Sequence, residues 1–171
     1  PLTCATWYEA QAFCIWDGGF LPTEAEWEYA AAGGTENRLY PWGGTAPDCT
    51  LANFSGCPAD ADAVGHYPAG DGRWGHADLA GNASEWVFDW NEASWYAGGG
   101  ATCHDCANLT NISERVLRGG GLGAAAAGVR AASRDVDAPD NRYTGRGVRC
   151  ARPAEVAYNS VTDAAKWTTF H

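Results

Sequence analysis

The stretch Asp78–Trp86 constrains the fold more than any other part of the chain, because it places two carboxylates at the ends of one tight turn. Its sequence is DLAGNASEW, with Gly81-Asn82 at the centre. Oxygens from such a turn can converge on one point, and Ca²⁺ accepts about 6–8 oxygen ligands in irregular geometry. A solvated acidic turn is the alternative, but tryptophans at 74, 86, 90 and 95 favour burial of Glu85, which then needs a partner. The predicted Ca²⁺ ligands are the side chains of Asp78 and Glu85 and the carbonyl oxygens of Gly81 and Ala83.

Charge and composition exclude several functional classes. The 171 residues carry a formal net charge of −10, so no basic stripe exists to neutralise the phosphates of a nucleic acid. No apolar run approaches the roughly 20 residues that span a bilayer, which argues against membrane insertion. Seven cysteines indicate an oxidising compartment, and their odd number leaves at least one free or paired outside this chain. Ten arginines against one lysine hint at a bacterial, GC-rich genome.

Two capping boxes predict two short helices. In Thr6-Trp7-Tyr8-Glu9 and in Thr23-Glu24-Ala25-Glu26, the threonine hydroxyl can accept a bond from the glutamate N–H while the glutamate reaches back. The first helix is expected to run to about Asp17 and the second to about Ala32, each ending at a diglycine. Strands are predicted at 86–90, 115–120, 129–133 and 146–151, with a turn-rich excursion at 137–145.

Between residues 35 and 67 neither helical nor alternating periodicity persists, and glycine, proline and aspartate recur every few residues. Such a segment needs another restraint, so we predict a disulfide between Cys49 and Cys57, worth about 2–3 kcal/mol. Cys103 and Cys106 form a C-x-x-C motif, which is also found in zinc half-sites and redox pairs. Because no second C-x-x-C exists and glycines precede this one, we predict a structural disulfide.

Four ordered motifs resemble those of one known family. The Asp78 stretch is similar to "D-M-A-G-N-V-W-E-W", and LPTEAEWEYA at residues 21–30 is similar to "R-L-P-T-E-A-E-W-E-Y-A". YPWG at 40–43 matches "Y-P-W-G", and the segments that start at Arg115, Arg130 and Gly147 resemble "R-V-L-R-G-G-S-W", "R-S-A-x-R" and "G-F-R". These motifs are typical of the formylglycine-generating enzyme (sulfatase-modifying factor) family. The resemblance covers residues 1–152 and leaves 153–171 as a C-terminal appendage with weak helical character.

The resemblance implies an α+β fold, a variant of the C-type lectin-like fold. It would have two short helices, short antiparallel strands and a large share of irregular loops, which Ca²⁺ and disulfides hold in place. The resemblance also places ligands of a second Ca²⁺ site at Asn53 and Phe54. Asp60 or Asp62 would complete that site, although the loop is shorter than in the family.

The remaining cysteines are assigned from the same resemblance. The family's last-strand cysteine bonds to one from the N-terminal side, which implies a Cys4–Cys150 disulfide here. Cys14, on the inner face of the first helix, would then be a buried free thiol. A Cys14–Cys150 disulfide is the alternative.

The family's catalytic chemistry does not carry over to this sequence. Its enzymes are oxygen-dependent oxidases in which a cysteine pair after "R-V-x-x-G-G-S" binds Cu(I), a metal that soft thiolates suit. The corresponding residues here, 121–128, read GLGAAAAG and contain no cysteine, histidine or acid. The related iron-dependent sulfoxide synthases use three histidines on an upstream helical domain, whereas the four histidines here show no ligand spacing. We expect no copper and no catalytic residues; a copper-dependent oxidase that generates formylglycine on sulfatase cysteines is the alternative.

The fold would present a surface over residues 121–145, where small residues form a shallow floor. The candidate binding residues are Asp135, Asp137, Asp140, Asn141, Arg142 and Tyr143. Family strands upstream of Pro1 are missing, so another segment or chain is expected to cover the exposed edge, and the tail to His171 is expected to dock on a partner. We predict a secreted or surface-displayed, non-catalytic module that joins other protein chains or copies of itself in an extracellular assembly. A calcium-dependent lectin that binds a glycan is a further alternative.

Overall fold

Two α-helices and a small sheet are joined by long irregular segments. The computed structural model describes residues 1–57, 60–102, 106–110 and 113–153. It confirms the predicted α+β architecture, in which short helices precede short strands and loops make up a large share of the chain. Within the described ranges, no helix has the length and apolar character needed to cross a membrane.

The helices begin where the capping boxes predict. Helix α1 spans Trp7–Trp16 and helix α2 spans Glu24–Ala31. Thr6 Oγ1 accepts a bond from the Glu9 N–H at 3.2 Å, and Glu9 Oε2 accepts one from the Thr6 N–H at 2.9 Å. The second box makes the same two bonds. Each box satisfies backbone donors that a helix N-terminus otherwise leaves open, so these local contacts fix the helix starts.

The sheet has four strands in the order β3-β2-β1-β4. Their bounds are Ser84–Trp90 for β1, Arg115–Arg118 for β2, Arg134–Asp137 for β3 and Arg146–Gly147 for β4. Strand β2 is antiparallel to both β1 and β3, whereas β4 runs parallel to β1. The sheet is therefore mixed, with one parallel pair at its edge.

Two strand predictions need correction. The predicted strand at 129–133 is wrong, because 126–129 form a 3₁₀ turn and the strand starts only at Arg134. The Ala131 N–H donates to the carbonyl of Leu39 at 3.0 Å, so this segment is held by a loop and not by a ladder. The strand predicted at 146–151 is short, and beyond it only an isolated bridge pairs Phe20 with Ala151.

The two helices cover opposite faces of the central strands. Alternate residues of a strand point to opposite faces. Val87 and Val116 accordingly pack with Trp27 of α2, in one apolar cluster. Trp86 and Leu117 pack in another cluster with Trp7, Ala10 and Cys14 of α1. The middle of the sheet is thus buried on both sides, and the site described below lies where α1 no longer covers it.

Buried charges also hold α2 on the sheet. Glu24, which is 1% exposed, accepts bonds from the guanidinium groups of Arg118 on β2 and Arg134 on β3. Its backbone N–H donates to Asp89 of β1 at 2.7 Å. Burial raises the pKa of Asp89, although the hydrogen bonds that it accepts from two backbone N–H groups act to lower it. One helical residue is in this way connected to three neighbouring strands.

The long-range disulfide joins Cys14 to Cys150 across 136 positions of sequence, so the predicted Cys4–Cys150 bond is wrong. Cys14 lies on the inner face of α1, and the bridge between Phe20 and Ala151 brings the last described segment beside that helix. Cys14 is therefore not the buried free thiol that we expected. Cys4 is exposed and free.

The short-range cysteines follow the sequence more closely. Cys49 and Cys57 form the predicted disulfide, with their Cα atoms 5.4 Å apart. Cys106 is disulfide-bonded, whereas Cys103, the other half of the C-x-x-C motif, lies outside the described residues. The irregular region that Cys49 and Cys57 enclose is also held by a third apolar cluster, which includes Tyr40, Phe54 and Val129.

Candidate functional site

A cleft of about 540 Å³ opens on the sheet face that carries α1. All four strands contribute to it, including Ser84 of β1, Leu117 of β2 and Arg146 of β4. Residues 120–124, the turn at 143–145, Gly128 and Ser133 line the rest. This volume falls within the range of about 300–1,000 Å³ that is typical of small-molecule sites. The surface predicted over residues 121–145 is thus a concave site, with the expected small residues in its lining.

Two of the six predicted surface residues line this cleft, namely Asp135 and Tyr143. The Asp135 carboxylate is 62% exposed and the Tyr143 ring is 56% exposed. Between them lies the guanidinium of Arg146, which donates to Asp137 Oδ2 at 3.0 and 3.2 Å and lies 5.3 Å from the centre of the Tyr143 ring. Sequence reasoning missed Arg146 because it was assigned to a strand and not to the binding surface.

The other predicted surface residues point elsewhere. Asn141 donates to Asp137 Oδ1 at 2.6 Å, which closes the turn after β3. Arg142 is bonded to the carboxylate of Glu9 on α1. Asp140 is exposed but does not line the cleft. These residues shape the rim, and the structure does not bring them together as one binding surface.

Ser84 is the second cleft residue that sequence reasoning missed. It is only 4% exposed, yet it lines the cleft, and among the described residues its hydroxyl makes no hydrogen bond. The Ser84 Oγ is open to the cleft and not enclosed by protein, so a ligand in the cleft can reach it. The signal was present in the sequence, because Ser84 occupies the position where the quoted "D-M-A-G-N-V-W-E-W" motif has a tryptophan. A small side chain there leaves room that an indole would fill.

No thiol lines the cleft in the part of the chain that the structure describes. Residues 121–128 contribute only glycine, leucine and alanine to its wall. Cys14, Cys49, Cys57 and Cys150 are in disulfides, and the free Cys4 is not a lining residue. The donor set of the cleft is therefore hard, with hydroxyl, carboxylate and backbone oxygens, and it does not fit Cu(I).

In the predicted Ca²⁺ turn, the Glu85 carboxylate is paired with an arginine of the same chain and is not open to a metal ion. Asp78, Ala83 and Glu85 line one small cavity together with Arg149. The Arg149 guanidinium donates to the two carboxylate oxygens of Glu85 at 2.7 and 2.8 Å, and the Trp27 indole N–H donates to the same carboxylate at 2.7 Å. Burial lowers the pKa of Arg149, but the charge and hydrogen bonds of Glu85 raise it more, so the net shift is upward.

These contacts bear on whether the turn fits a cation. Glu85 is 7% exposed, so the prediction that it would be buried and need a partner is confirmed. That partner is an arginine. Asp78 is also engaged, since its Oδ2 accepts from the Gly65 N–H at 2.8 Å. As arranged, the two predicted carboxylate ligands do not fit a Ca²⁺ ion unless Arg149 moves away.

Asn53 lies directly against that turn and has the opposite character. It is fully buried, its carbonyl oxygen accepts from the Asn82 N–H at 2.7 Å, and its side-chain Nδ2 donates to the Asp60 carbonyl at 2.9 Å. Its side-chain Oδ1 is buried without any hydrogen-bond partner in the described structure. An orphaned amide oxygen of this kind fits a hard cation.

The surroundings of Asn53 include the Asp62 carboxylate, which forms no ion pair with any described residue. Asp62 Oδ2 accepts a bond from Asn53 Nδ2 at 3.3 Å and another from the Tyr67 hydroxyl. The hydrogen bond to Asp62, together with burial, raises the pKa of Tyr67 to about 12. No described group of three or more His, Cys, Asp or Glu side chains forms a metal cluster. A cation at Asn53 would therefore depend on amide and backbone oxygens, with Asp62 as the one carboxylate beside them.

Comparison with known proteins places this arrangement among sulfatase-modifying factors. Residues 1–154 match the family model described as "Sulfatase-modifying factor enzyme 1-like domain". The formylglycine-generating enzyme of Streptomyces coelicolor is 33% identical over 181 aligned positions, which include 95% of this chain and 56% of that protein. The structure of PvdO from Pseudomonas aeruginosa superposes with a TM-score of 0.76 at 25% identity, over 90% of this chain and 62% of that one.

A more distant structural likeness concerns the fold alone. The Major Tropism Determinant M1 variant superposes with a TM-score of 0.52 at 17% identity, over 85% of this chain and 36% of that one. This likeness agrees with the C-type lectin-like architecture expected from the motifs. The chain spans about half the length, or less, of the curated relatives that it matches. The activities of those longer proteins are therefore not transferred to it by similarity.

Proposed function

The chain belongs to the sulfatase-modifying factor enzyme 1-like family, and from that premise we propose that it is a non-catalytic binding module with its ligand in the cleft beside Ser84. The ligand is a small polar molecule, or one polar group that a partner chain presents. The module acts outside the cell or on its surface, stabilised by its disulfides and by calcium, as part of a larger assembly.

One observation carries the proposal. The wall of the cleft at residues 121–128, where the family motif places the copper-binding cysteines, carries only glycine, alanine and leucine. The cleft itself remains, and the Ser84 hydroxyl, an exposed carboxylate and an exposed aromatic ring line it. Binding features without a redox ligand favour recognition over oxidation.

The chemistry of the lining indicates which groups the ligand offers. Ser84 both donates and accepts hydrogen bonds, and Asp135 accepts them. Tyr143 offers an apolar ring with a polar tip, a side chain that is common at recognition sites. A hydroxyl-rich ligand such as a glycan, or an amide or amine from a protein chain, matches this set. Arg146 is already paired with Asp137, so it contributes shape more than free positive charge.

The test compares the wild-type chain with Ser84→Trp on a glycan array and on a displayed peptide library. The substitution restores the residue of the family motif, so we expect it to fold while it fills the cleft and removes binding. Leu109→Trp, at a position that is 69% exposed and outside the cleft, serves as the matched control. Binders that tolerate Ser84→Trp as well as the control, or no binders at all, would refute the cleft as the ligand site.

A separate assay addresses catalysis. We expect no oxygen consumption when the chain is loaded with Cu(I) and given a cysteine-containing peptide. Turnover above that of a copper-only blank would overturn the non-catalytic reading and revive the oxidase.

Calcium is proposed at Asn53 and not between Asp78 and Glu85. The orphaned Asn53 Oδ1 supports the former, and the Arg149–Glu85 pair argues against the latter. Elemental analysis of the purified chain and a melting curve with and without a chelator test this part. An unchanged melting temperature and no bound metal would remove calcium from the proposal.

Assembly and location rest on separate support. The two described disulfides suit an oxidising compartment, which we infer to be extracellular. Light scattering at several dilutions measures the native mass. A stable oligomer would support an assembly of identical chains, whereas a monomer at all dilutions would direct the search to other protein partners.

A further inference from the structure

Tyr67 is connected to the proposed calcium site through the carboxylate of Asp62. The Tyr67 side chain is buried, and its hydroxyl donates a hydrogen bond to Asp62 Oδ2. The Asn53 side chain donates to the same oxygen from Nδ2, at 3.3 Å. The hydroxyl of Tyr67 and the amide of Asn53 thus meet at one carboxylate oxygen.

The other oxygen of this carboxylate is uncommitted. Among the described residues, Asp62 Oδ1 accepts no hydrogen bond, and neither oxygen pairs with a basic side chain. Asp62 is half-buried, so water solvates its charge only in part. A half-buried carboxylate without a basic partner suits a hard cation, and Ca²⁺ binds carboxylate and amide oxygens.

The orphaned amide oxygen of Asn53 indicates a cation at the same place. Asn53 is fully buried, and its Oδ1 has no hydrogen-bond partner in the part of the chain that the structure describes. Buried side-chain oxygens are nearly always satisfied, so this one calls for a ligand. Oδ1 and Nδ2 end the same amide group, and the carboxylate that Nδ2 contacts therefore lies next to Oδ1. A cation on Asn53 Oδ1 has Asp62 as its neighbour.

The backbone of Asp62 is fixed separately from its side chain. Its N–H donates to Asn82 Oδ1 at 3.0 Å, and its carbonyl accepts from Asn82 Nδ2 at 3.2 Å. These two bonds place residue 62 but do not set its side-chain torsions, which have several staggered minima. Of the described groups, only the Asn53 amide and the Tyr67 hydroxyl bond to the carboxylate itself. Tyr67 is therefore the one contact that orients Asp62 independently of Asn53.

We propose that Tyr67 is a positioning residue for calcium, whose hydroxyl orients the Asp62 carboxylate so that Asp62 and Asn53 Oδ1 bind one ion. This inference rests on the calcium site of the proposed function and adds a residue that does not touch the ion. A ligating carboxylate that accepts a hydrogen bond is held in its binding orientation, and loss of such an outer contact lowers metal affinity by about 10–100-fold.

The experiment measures Ca²⁺ affinity by isothermal titration calorimetry on the chelator-treated chain. Tyr67→Phe removes only the hydroxyl, and we expect it to weaken Ca²⁺ binding by about 10-fold or more. Tyr40→Phe is the matched control, because Tyr40 is 5% exposed and its hydroxyl makes no hydrogen bond to a described residue. We expect this control to keep the wild-type affinity. Equal affinities in wild type and Tyr67→Phe would overturn the proposal.

A second comparison separates positioning from a general effect on the fold. In Asp62→Ala the hydroxyl has no carboxylate to orient, so we expect the added Tyr67→Phe change to cause no further loss of affinity. Luminescence lifetimes of bound Tb³⁺ in H₂O and D₂O count the waters on the ion. We expect an additional bound water in Tyr67→Phe, where the carboxylate is released. A full further loss in the Asp62→Ala background, or an unchanged water count, would contradict the proposal.

Failure of this inference differs from failure of the calcium site itself. If the wild type binds neither Ca²⁺ nor Tb³⁺, the calcium site is wrong and the role of Tyr67 falls with it. If the wild type binds Ca²⁺, Asn53→Leu abolishes the binding and Tyr67→Phe leaves the affinity unchanged, the calcium site stands and only the role of Tyr67 is overturned.

Discussion

Two adjacent loops of this protein contain the residues predicted to bind calcium. In one loop the buried side-chain oxygens have hydrogen-bond partners, and in the other a buried side-chain oxygen has none among the described residues. In the turn at 78–85, Arg149 and Trp27 supply three hydrogen bonds to the carboxylate of Glu85. In the loop that begins at Asn53, the Asn53 Oδ1 is buried and has no hydrogen-bond partner among the described residues. The two loops touch, since Asn82 and Asp62 exchange hydrogen bonds of 3.0 and 3.2 Å.

This difference shows that an acidic motif alone does not identify a cation site. A buried carboxylate is stable with either a metal ion or a guanidinium, and the sequence of the turn is the same in both cases. The distinguishing evidence is the distant residue that reaches the carboxylate. In the part of the chain that the structure describes, no residue reaches Asn53 Oδ1, so this neutral oxygen is left for an external ligand.

The largest effect is expected from Arg149→Met, which leaves the Glu85 charge uncompensated. Breaking a buried ion pair from one side costs about 3–5 kcal/mol. We expect a loss at the low end of this range, because the Arg149 side chain is 27% exposed and the pair is only partly buried. Urea denaturation measures the loss. Arg152→Met, which breaks an exposed pair with Asp17, is the control and should cost less than about 1 kcal/mol.

The same variant also tests the calcium assignment. The free energy of unfolding is measured with and without Ca²⁺ for both proteins. If added Ca²⁺ restores the stability of Arg149→Met and gives the wild type no comparable gain, the arginine and the ion are alternative partners of Glu85. A wild type that needs calcium at Glu85 despite Arg149 would invalidate the comparison between the two loops.

A smaller effect is expected from Cys49→Ala/Cys57→Ala. The disulfide closes a loop with a sequence separation of 8, and loop-closure entropy for that size gives about 2.5 kcal/mol. Because Asn53 lies inside this loop, the double variant should also lose any stabilisation by calcium. Calorimetry with and without Ca²⁺ measures both. Retention of the full calcium response would mean that the disulfide does not shape the site.

Asn53→Leu addresses the orphaned oxygen directly. At calcium tenfold above its dissociation constant, binding stabilises the folded state by about 1.4 kcal/mol, and the variant should lose this increment. The melting temperature with calcium and with chelator gives the answer. Asn91→Leu, at a half-buried position outside both loops, is the matched control and should keep the response. An identical calcium shift in Asn53→Leu would place the ion elsewhere.

The smallest effect concerns pH. The bond to Asp62 raises the pKa of Tyr67 to about 12, above the usual value of 10.0. A raised pKa means that the folded state holds its proton more tightly, so this stabilisation is complete below pH 10 and is lost as the pH rises toward 12. Burial and the nearby Glu24 charge also raise the pKa of Tyr96, so titration at 295 nm should show two late tyrosines in the wild type and one in Tyr67→Phe. The same number of late tyrosines in both proteins would show that the bond to Asp62 does not persist in solution.

Local chemistry was readable from the sequence, whereas long-range partners were not. Capping boxes act over three residues, so Thr6 and Thr23 located both helix starts. The burial of Glu85 was predicted from the density of tryptophan around it. Its partner Arg149 is 64 positions away, and only the fold brings the two together. The predicted partner of Cys150 was wrong for the same reason. Cys4 and Cys14 both lie near the N-terminal side of the domain, and only the orientation of α1 shows that Cys14 faces Cys150.

The cleft was predicted in part. The run of glycine and alanine at 121–128 located its wall, and the family motif supplied its position in the chain. Ser84 and Arg146 were missed because each follows from strand placement. Ser84 lines the floor of the cleft because it is the first residue of β1. Arg146 reaches the cleft because β4 pairs in parallel with β1 and lies beside Ser84. The strand at 129–133 was predicted wrongly because its apolar residues suggested strand pairing. The Ala131 N–H instead donates a hydrogen bond to the carbonyl of Leu39 in a loop.

The parallel pairing of β4 with β1 has a consequence for how the domain forms. Thr3 pairs with Gly147, Phe20 with Ala151 and Ser84 with Arg146, so residues 3–20 and the start of β1 gain these partners only after residues 146–151 have been made. Contacts of such long sequence separation slow folding, because loop-closure entropy is lost before they form. During synthesis α1 and β1 therefore emerge without their final neighbours, and the domain is committed only when residues 146–151 appear.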